Sequence, residues 1–203
     1  MKKLLMMDSK LKVKNASDIY NEPVVIRVTD FDEKAATAFA EDMSKAHNTG
    51  QPIIPIVIDS YGGQVDSLNS MISEIESASL PVATIVVGKA MSCGAILLTY
   101  GAEGYRFADS NARIMIHDVS SGNWGKNEEI KASAKETDRL QKQIFKKMAQ
   151  NCGKADDYFL KLIHEKSHAE WYLTPQEAKK HNLINHIRVP TFHTKISVDI
   201  TFT

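Results

Sequence analysis

Runs of β-branched and aliphatic residues alternate with segments of helical spacing along this chain, and that alternation constrains its fold more than any other feature. Val24-Val25-Ile26-Arg27-Val28 reads as a strand. Asp30 or Asp32 can then cap a helix running to about His47, with Ala35, Phe39, Met43 and Ala46 on one face and Gly50 as its stop. Ile54 to Ile58 is a strand of the buried type, in which Pro55 belongs at the beginning or on a sheet edge. Val65, Leu68, Ile72 and Ile75 recur at helical spacing after Gly62-Gly63, and Pro81 ends that unit. Val82 to Val87 is the next strand. After Gly88, the apolar stretch Ala95 to Tyr100 reads as a helix closing at Gly101. Strands alternating with helices in this way specify an α/β domain.

The second half continues the pattern. Tyr105-Arg106-Phe107 and Arg113 to Ile116 look like short strands. A long polar helix is expected from about Asn127 to Asn151, with Ile130, Ala134, Ile144 and Met148 on an apolar stripe and Gly153 at its end. Tyr158 to Ile163 fits a further helix. Thr174-Pro175-Gln176-Glu177 is a helix start: Thr174 as N-cap, Pro175 at the first helical position, Glu177 closing a capping box. Ile196, Val198, Ile200 and Phe202 alternate with polar residues, as in a half-buried strand. No repeat, low-complexity tract or interdomain linker interrupts the 203 residues. A single domain over 21–190 is therefore expected, with an N-terminal arm at 1–20 and a C-terminal strand at 191–203. A chain of this size can bury a core without disulfide or metal staples.

Charge excludes some partners. Basic and acidic residues balance at 25 each, so nothing global favours nucleic acid or an anionic surface. Lys2, Lys3, Lys10, Lys12 and Lys14 give the arm a local excess, read as a solvated terminus. Cys93 and Cys152 stand alone and far apart, as in a reduced, cytoplasmic protein. Leu4-Leu5-Met6-Met7 meets Asp8 and Lys10 too soon for a signal sequence, and no apolar stretch reaches membrane-spanning length. No metal site is assigned, and none of the chemistry below requires a cofactor.

Three segments could carry chemistry. Gly88-Lys89-Ala90-Met91-Ser92-Cys93-Gly94-Ala95 runs from a strand into a helix and sets Ser92 at the helix start. Free backbone N–H groups there favour negative charge at a reacting centre, although by itself Ser92 also reads as a simple N-cap. The segment is not the Gly-x-Ser-x-Gly elbow of another hydrolase class. Ser60-Tyr61-Gly62-Gly63 ends a strand. Its glycines can aim N–H groups outward and let another chain approach, or can be a plain turn. It lacks phosphate-loop spacing. His117 follows Arg113-Ile114-Met115-Ile116 at a strand's C-terminal end, where side chains line crevices in α/β folds.

Taken in order, these segments resemble the proteolytic subunit of the Clp protease over roughly Val24 to Ile187. The resemblance implies a Clp-protease/crotonase-like spiral of ββα units with a protruding long helix. It implies a serine endopeptidase acting on peptides or unfolded proteins inside stacked homo-oligomeric rings, two heptamers in a tetradecamer, fed by an ATP-dependent unfoldase. Ser92 corresponds to the nucleophile and His117 to the base. Backbone N–H groups of Gly62 and Cys93 correspond to the oxyanion hole, and Gly63 and Gln64 to the substrate-binding edge. The family's aspartate falls on Glu170, when Leu173 to Ala178 is aligned with its motif. Tyr61 stands where the family has proline, and both termini match poorly. Three other readings compete: a phage capsid-maturation or signal-peptide-peptidase-like enzyme with a Ser-Lys dyad, for which Lys89 is the nearest lysine; a crotonase-like acyl-CoA enzyme; and an inactive structural ring subunit.

Overall fold

The computed structural model describes residues 23–122, 124–165 and 170–191. The arm expected at 1–20 and the strand expected around Ile196 lie outside the described residues. The elements are β1 (Ile26–Val28), α1 (Glu33–His47), β2 (Ile54–Ser60), α2 (Val65–Ser77), β3 (Val82–Met91) and α3 (Cys93–Leu98). They continue with β4 (Arg106–Ala108), β5 (Arg113–Ile116), α4 (Asn127–Asn151), α5 (Tyr158–Glu165), β6 (Trp171–Leu173), α6 (Pro175–Lys180) and β7 (His186–Ile187).

The sheet is mostly parallel, in the order β1-β2-β3-β4-β7, with β5 on β3 and β6 on β5. β3 sits at the branch. Its first half pairs with β4 through Thr84↔Arg106 and Val86↔Ala108. Its second half pairs with β5 through Lys89↔Arg113 and Met91↔Met115. One strand thereby delivers its C-terminal end, and the residue after it, to a different neighbour from the one at its start. The pairing of β2 with β3 shifts register between Ile58 and Ser60, a bulge that re-aims both strand ends.

Several expected boundaries are corrected. The third strand does not stop at Val87 but runs through Gly88 to Met91. A Cβ at position 88 would lie 2.8 Å from Asp59 Oδ1, so glycine here admits a neighbouring side chain rather than breaking the strand. The following helix spans Cys93–Leu98, not Ala95 to Tyr100, because the Ser92 carbonyl already accepts from Ala95 and Ile96 N–H. The first strand begins at Ile26 rather than Val24, and Tyr105 lies before β4. β6 and β7 were not anticipated, since three and two residues are too short to show a period. β2 lies inside the sheet, so Pro55 is accommodated at the strand's beginning, as its second residue.

Where local chemistry is decisive, the expected ends hold. Asp32 caps α1 by accepting from Ala35 N–H at 2.7 Å. Thr174 and Glu177 form the capping box of α6. α4 runs its full expected length, but its buried residues are Ile144, Phe145, Met148 and Ala149. Ile130 and Ala134 are exposed, so the stripe is core only in the C-terminal half. That end is anchored by buried Arg106, whose guanidinium donates to the Asn151 carbonyl at 2.9 Å. A cation at a helix C-terminus complements the helix dipole. Among the described residues, no helix is long and apolar enough to cross a membrane.

Candidate active site

The parallel pairing of β3 with β5 brings the ends of two strands together. Ser92 follows β3 and His117 follows β5. Ser92 N–H donates to Met115 O at 2.9 Å, continuing the ladder by one step. Its carbonyl then starts α3. Held on both sides, Ser92 takes φ 53° and ψ −120°, a conformation that non-glycine residues rarely adopt. Such a strand-to-helix corner lifts the side chain out of the sheet, and it stores about 1–3 kcal/mol of strain.

The Gly62-Gly63 turn packs directly on this corner. At Gly62, with φ 104°, a Cβ would lie 2.7 Å from the Ser92 Cβ and 3.2 Å from its Oγ. Only glycine leaves room. The turn is tied down by Gln64 N–H, which donates to Phe31 O at 2.7 Å, and by the Cys93 thiol, 3.3 Å from Gly63 O. Gly62→Ala is therefore expected to destabilise the fold by about 1–3 kcal/mol through strain at positive φ and the displaced Ser92. Thermal denaturation checks this; an unchanged melting temperature would mean that the turn does not press on Ser92.

Ser92 and His117 line one small cleft of about 40 Å³. Gly63, Val65, Cys93, Ile96, Val119, Ser120 and Phe145 complete its lining. The segment after His117 is clamped by Gln141 of α4, which accepts from Val119 N–H at 2.8 Å and donates to Asp118 at 3.0 Å. Asp118 is thus turned to α4. No hydrogen bond joins Ser92 to His117 among the described residues.

The other expected site residues divide. Gly62 lies against Ser92, but its N–H donates to the buried Ser60 Oγ at 3.0 Å, a partner the sequence did not suggest. Cys93 is the first residue of α3, so its N–H has no acceptor within the helix. Burial pushes the Cys93 thiol up, which keeps it protonated and unreactive beside Ser92. Gln64 is not at the cleft. It precedes α2 and lines a separate depression with Glu33, Thr37 and Asp66. Lys89, the candidate for a dyad, is held 2.8 Å from Asp59 and 4.4 Å from the Tyr61 ring centroid, away from the cleft. The Lys89 hydrogen bond holds Asp59 below the usual carboxylate range.

Glu170 immediately precedes β6. The antiparallel pairing of β5 with β6 runs Ile114↔Leu173, Met115↔Tyr172, Ile116↔Trp171. The pairing ends there, and His117 and Glu170 are the next residues beyond its last pair. The Glu170 carboxylate accepts from the Tyr172 hydroxyl at 2.6 Å, a bond that holds the Tyr172 phenol above its ordinary range. No hydrogen bond or ion pair joins Glu170 to His117 among the described residues.

Compared with models of known families, residues 8–191 match the one described as Clp protease.

Proposed function

The chain belongs to the Clp protease family, a family of serine peptidases, and on that premise we propose that it is a serine endopeptidase with a Ser92-His117-Glu170 triad. The observation that carries this reading is the strained corner at Ser92, in a cleft that His117 also lines. His117 takes the Ser92 proton as Ser92 attacks the peptide carbonyl, then protonates the leaving amine and activates water for deacylation. Glu170 holds the imidazole in the tautomer that presents a free nitrogen to Ser92.

The developing oxyanion is received by the N–H groups of Cys93 and Gly62. Gly62 N–H exchanges a neutral acceptor, Ser60 Oγ, for a charged one, which hydrogen-bonds more strongly. Gly63 borders the cleft and offers backbone to an extended peptide. Gln64 contributes at most beyond it, given its place at the head of α2. No cofactor enters the scheme.

The family usually forms oligomeric rings. We propose that residues 21–190 form the spiral peptidase domain and that rings of it stack to enclose the sites. The exposed first half of α4, with Ile130 and the neighbouring Trp124 open to solvent, supports stacking through that helix. The terminal segments, 1–20 and 191–203, are then left for an ATP-dependent unfoldase. A structural ring subunit, a crotonase-like enzyme and a Ser-Lys peptidase find less support. Ser92 and His117 are both present at one cleft, and Lys89 is engaged elsewhere.

The test pairs two measurements on the full chain. A fluorogenic peptide is expected to be cleaved without added cofactor, and sedimentation at micromolar concentration is expected to find a species many times the 22.6 kDa of one chain. Turnover of an enoyl-CoA without peptide cleavage would favour the crotonase reading. A fully active monomer would overturn the ring.

A further inference from the structure

We propose that Tyr172 is a positioning residue for the triad: its hydroxyl fixes one oxygen of the Glu170 carboxylate so that the other is presented to His117. The inference rests on the reading of Glu170 as the triad acid.

Three observations carry it. Tyr172 OH donates to Glu170 Oε2 at 2.6 Å, the short distance of a charge-assisted bond. Tyr172 is itself held by strand pairing opposite Met115, and Glu170, two residues before it, is the next residue beyond the last pair Ile116↔Trp171, as His117 is on β5. The Tyr172 side chain points away from the main core: Trp171 and Leu173 are buried in it, whereas Tyr172 is half exposed. The hydroxyl is free of the core to meet the Glu170 carboxylate.

The physical need follows from the side chain. Glutamate has one more rotatable bond than aspartate, and a free carboxylate on an exposed strand end samples several rotamers, at an entropic cost whenever one is selected. A carboxylate can accept at several lone-pair sites, so a bond at Oε2 leaves Oε1 available for an imidazole N–H. A group oriented before the reaction costs nothing to orient during it. Arg113, paired beside Lys89 at the start of β5, contributes a positive field at Tyr172 that offsets part of the phenol's shift.

The experiment is a double-mutant cycle on the full-length protein with a fluorogenic peptide, using Tyr172→Phe, Glu170→Ala and their combination. Phenylalanine keeps the ring, and melting temperatures verify the fold. Tyr172→Phe is expected to lower kcat about 10-fold in the parent background with KM unchanged, the loss of one hydrogen bond to a charged group. It is expected to change nothing in the Glu170→Ala background, where no carboxylate remains to be held. Parental kcat in Tyr172→Phe, with Glu170→Ala impaired, would overturn the proposal and leave the acid assignment intact. So would equal losses in both backgrounds, which would mark a structural role, or a rise in kcat, which would mean that Tyr172 holds the carboxylate away from His117. Parental kcat in Glu170→Ala would instead overturn the acid assignment, and the proposal with it.

Discussion

Peptide turnover is expected to fall by about 10⁴-fold or more in Ser92→Ala, with the fold intact. Alanine keeps the Cβ and the corner between β3 and α3, so Met115 O and the first turn of α3 keep their partners. On the proposed mechanism only the nucleophile is lost. Residual rate comes from binding and from the oxyanion donors alone. The same corner gives a second, opposite readout. Ser92 sits at φ 53°, where glycine carries little penalty. Ser92→Gly should therefore be as inactive as Ser92→Ala but more stable than the parent, by about 1 kcal/mol. Denaturant titration against reporter kinetics measures both. Loss of stability in the glycine variant would show that the corner is not strained.

Glu170→Gln is expected to lower turnover by about 10²–10⁴-fold without unfolding, as removal of a triad carboxylate does. The amide keeps the size of the side chain but not its charge, so the imidazolium formed during attack is no longer stabilised. Glu170→Asp should retain part of the activity, since the charge stays and the reach falls by one methylene. The expectation rests on register: β5 and β6 are paired up to Ile116↔Trp171, and His117 and Glu170 are the next residues beyond that pair. Parental turnover in Glu170→Gln would remove it from the chemistry and leave a Ser-His pair.

Legibility in the sequence followed length and cap chemistry. The bounds of α4 could be read because a long helical period ends at Gly153, and the start of α6 because Thr174, Pro175 and Glu177 each suit one position of a helix N-terminus. The passage of β3 through Gly88 could not. In one dimension glycine reads as a stop, and only the neighbouring strand reveals that it makes room for Asp59. β6 was missed because three residues have no period, although it is the strand that carries the register toward Glu170. For the same reason Tyr172 went unnoticed. At the site, motif order singled out Ser92 and His117, which line one cleft, while Gln64 turned out to belong to the head of α2. Ser60 was invisible, since nothing in a Ser-Tyr-Gly-Gly run says that its hydroxyl will take the Gly62 N–H. Partners across a turn depend on φ, and this turn is held by contacts with Phe31 and Cys93 that lie far away in sequence.

The central claim is that Ser92 is an activated nucleophile, and labelling with a fluorophosphonate, followed by peptide mapping, tests it most directly. The reagent phosphonylates a serine only where a base and oxyanion donors raise its reactivity. One adduct is expected, on the peptide containing Ser92, and none in Ser92→Ala protein. Unmodified Ser92 in a folded parent, or undiminished labelling of Ser92→Ala, would contradict it.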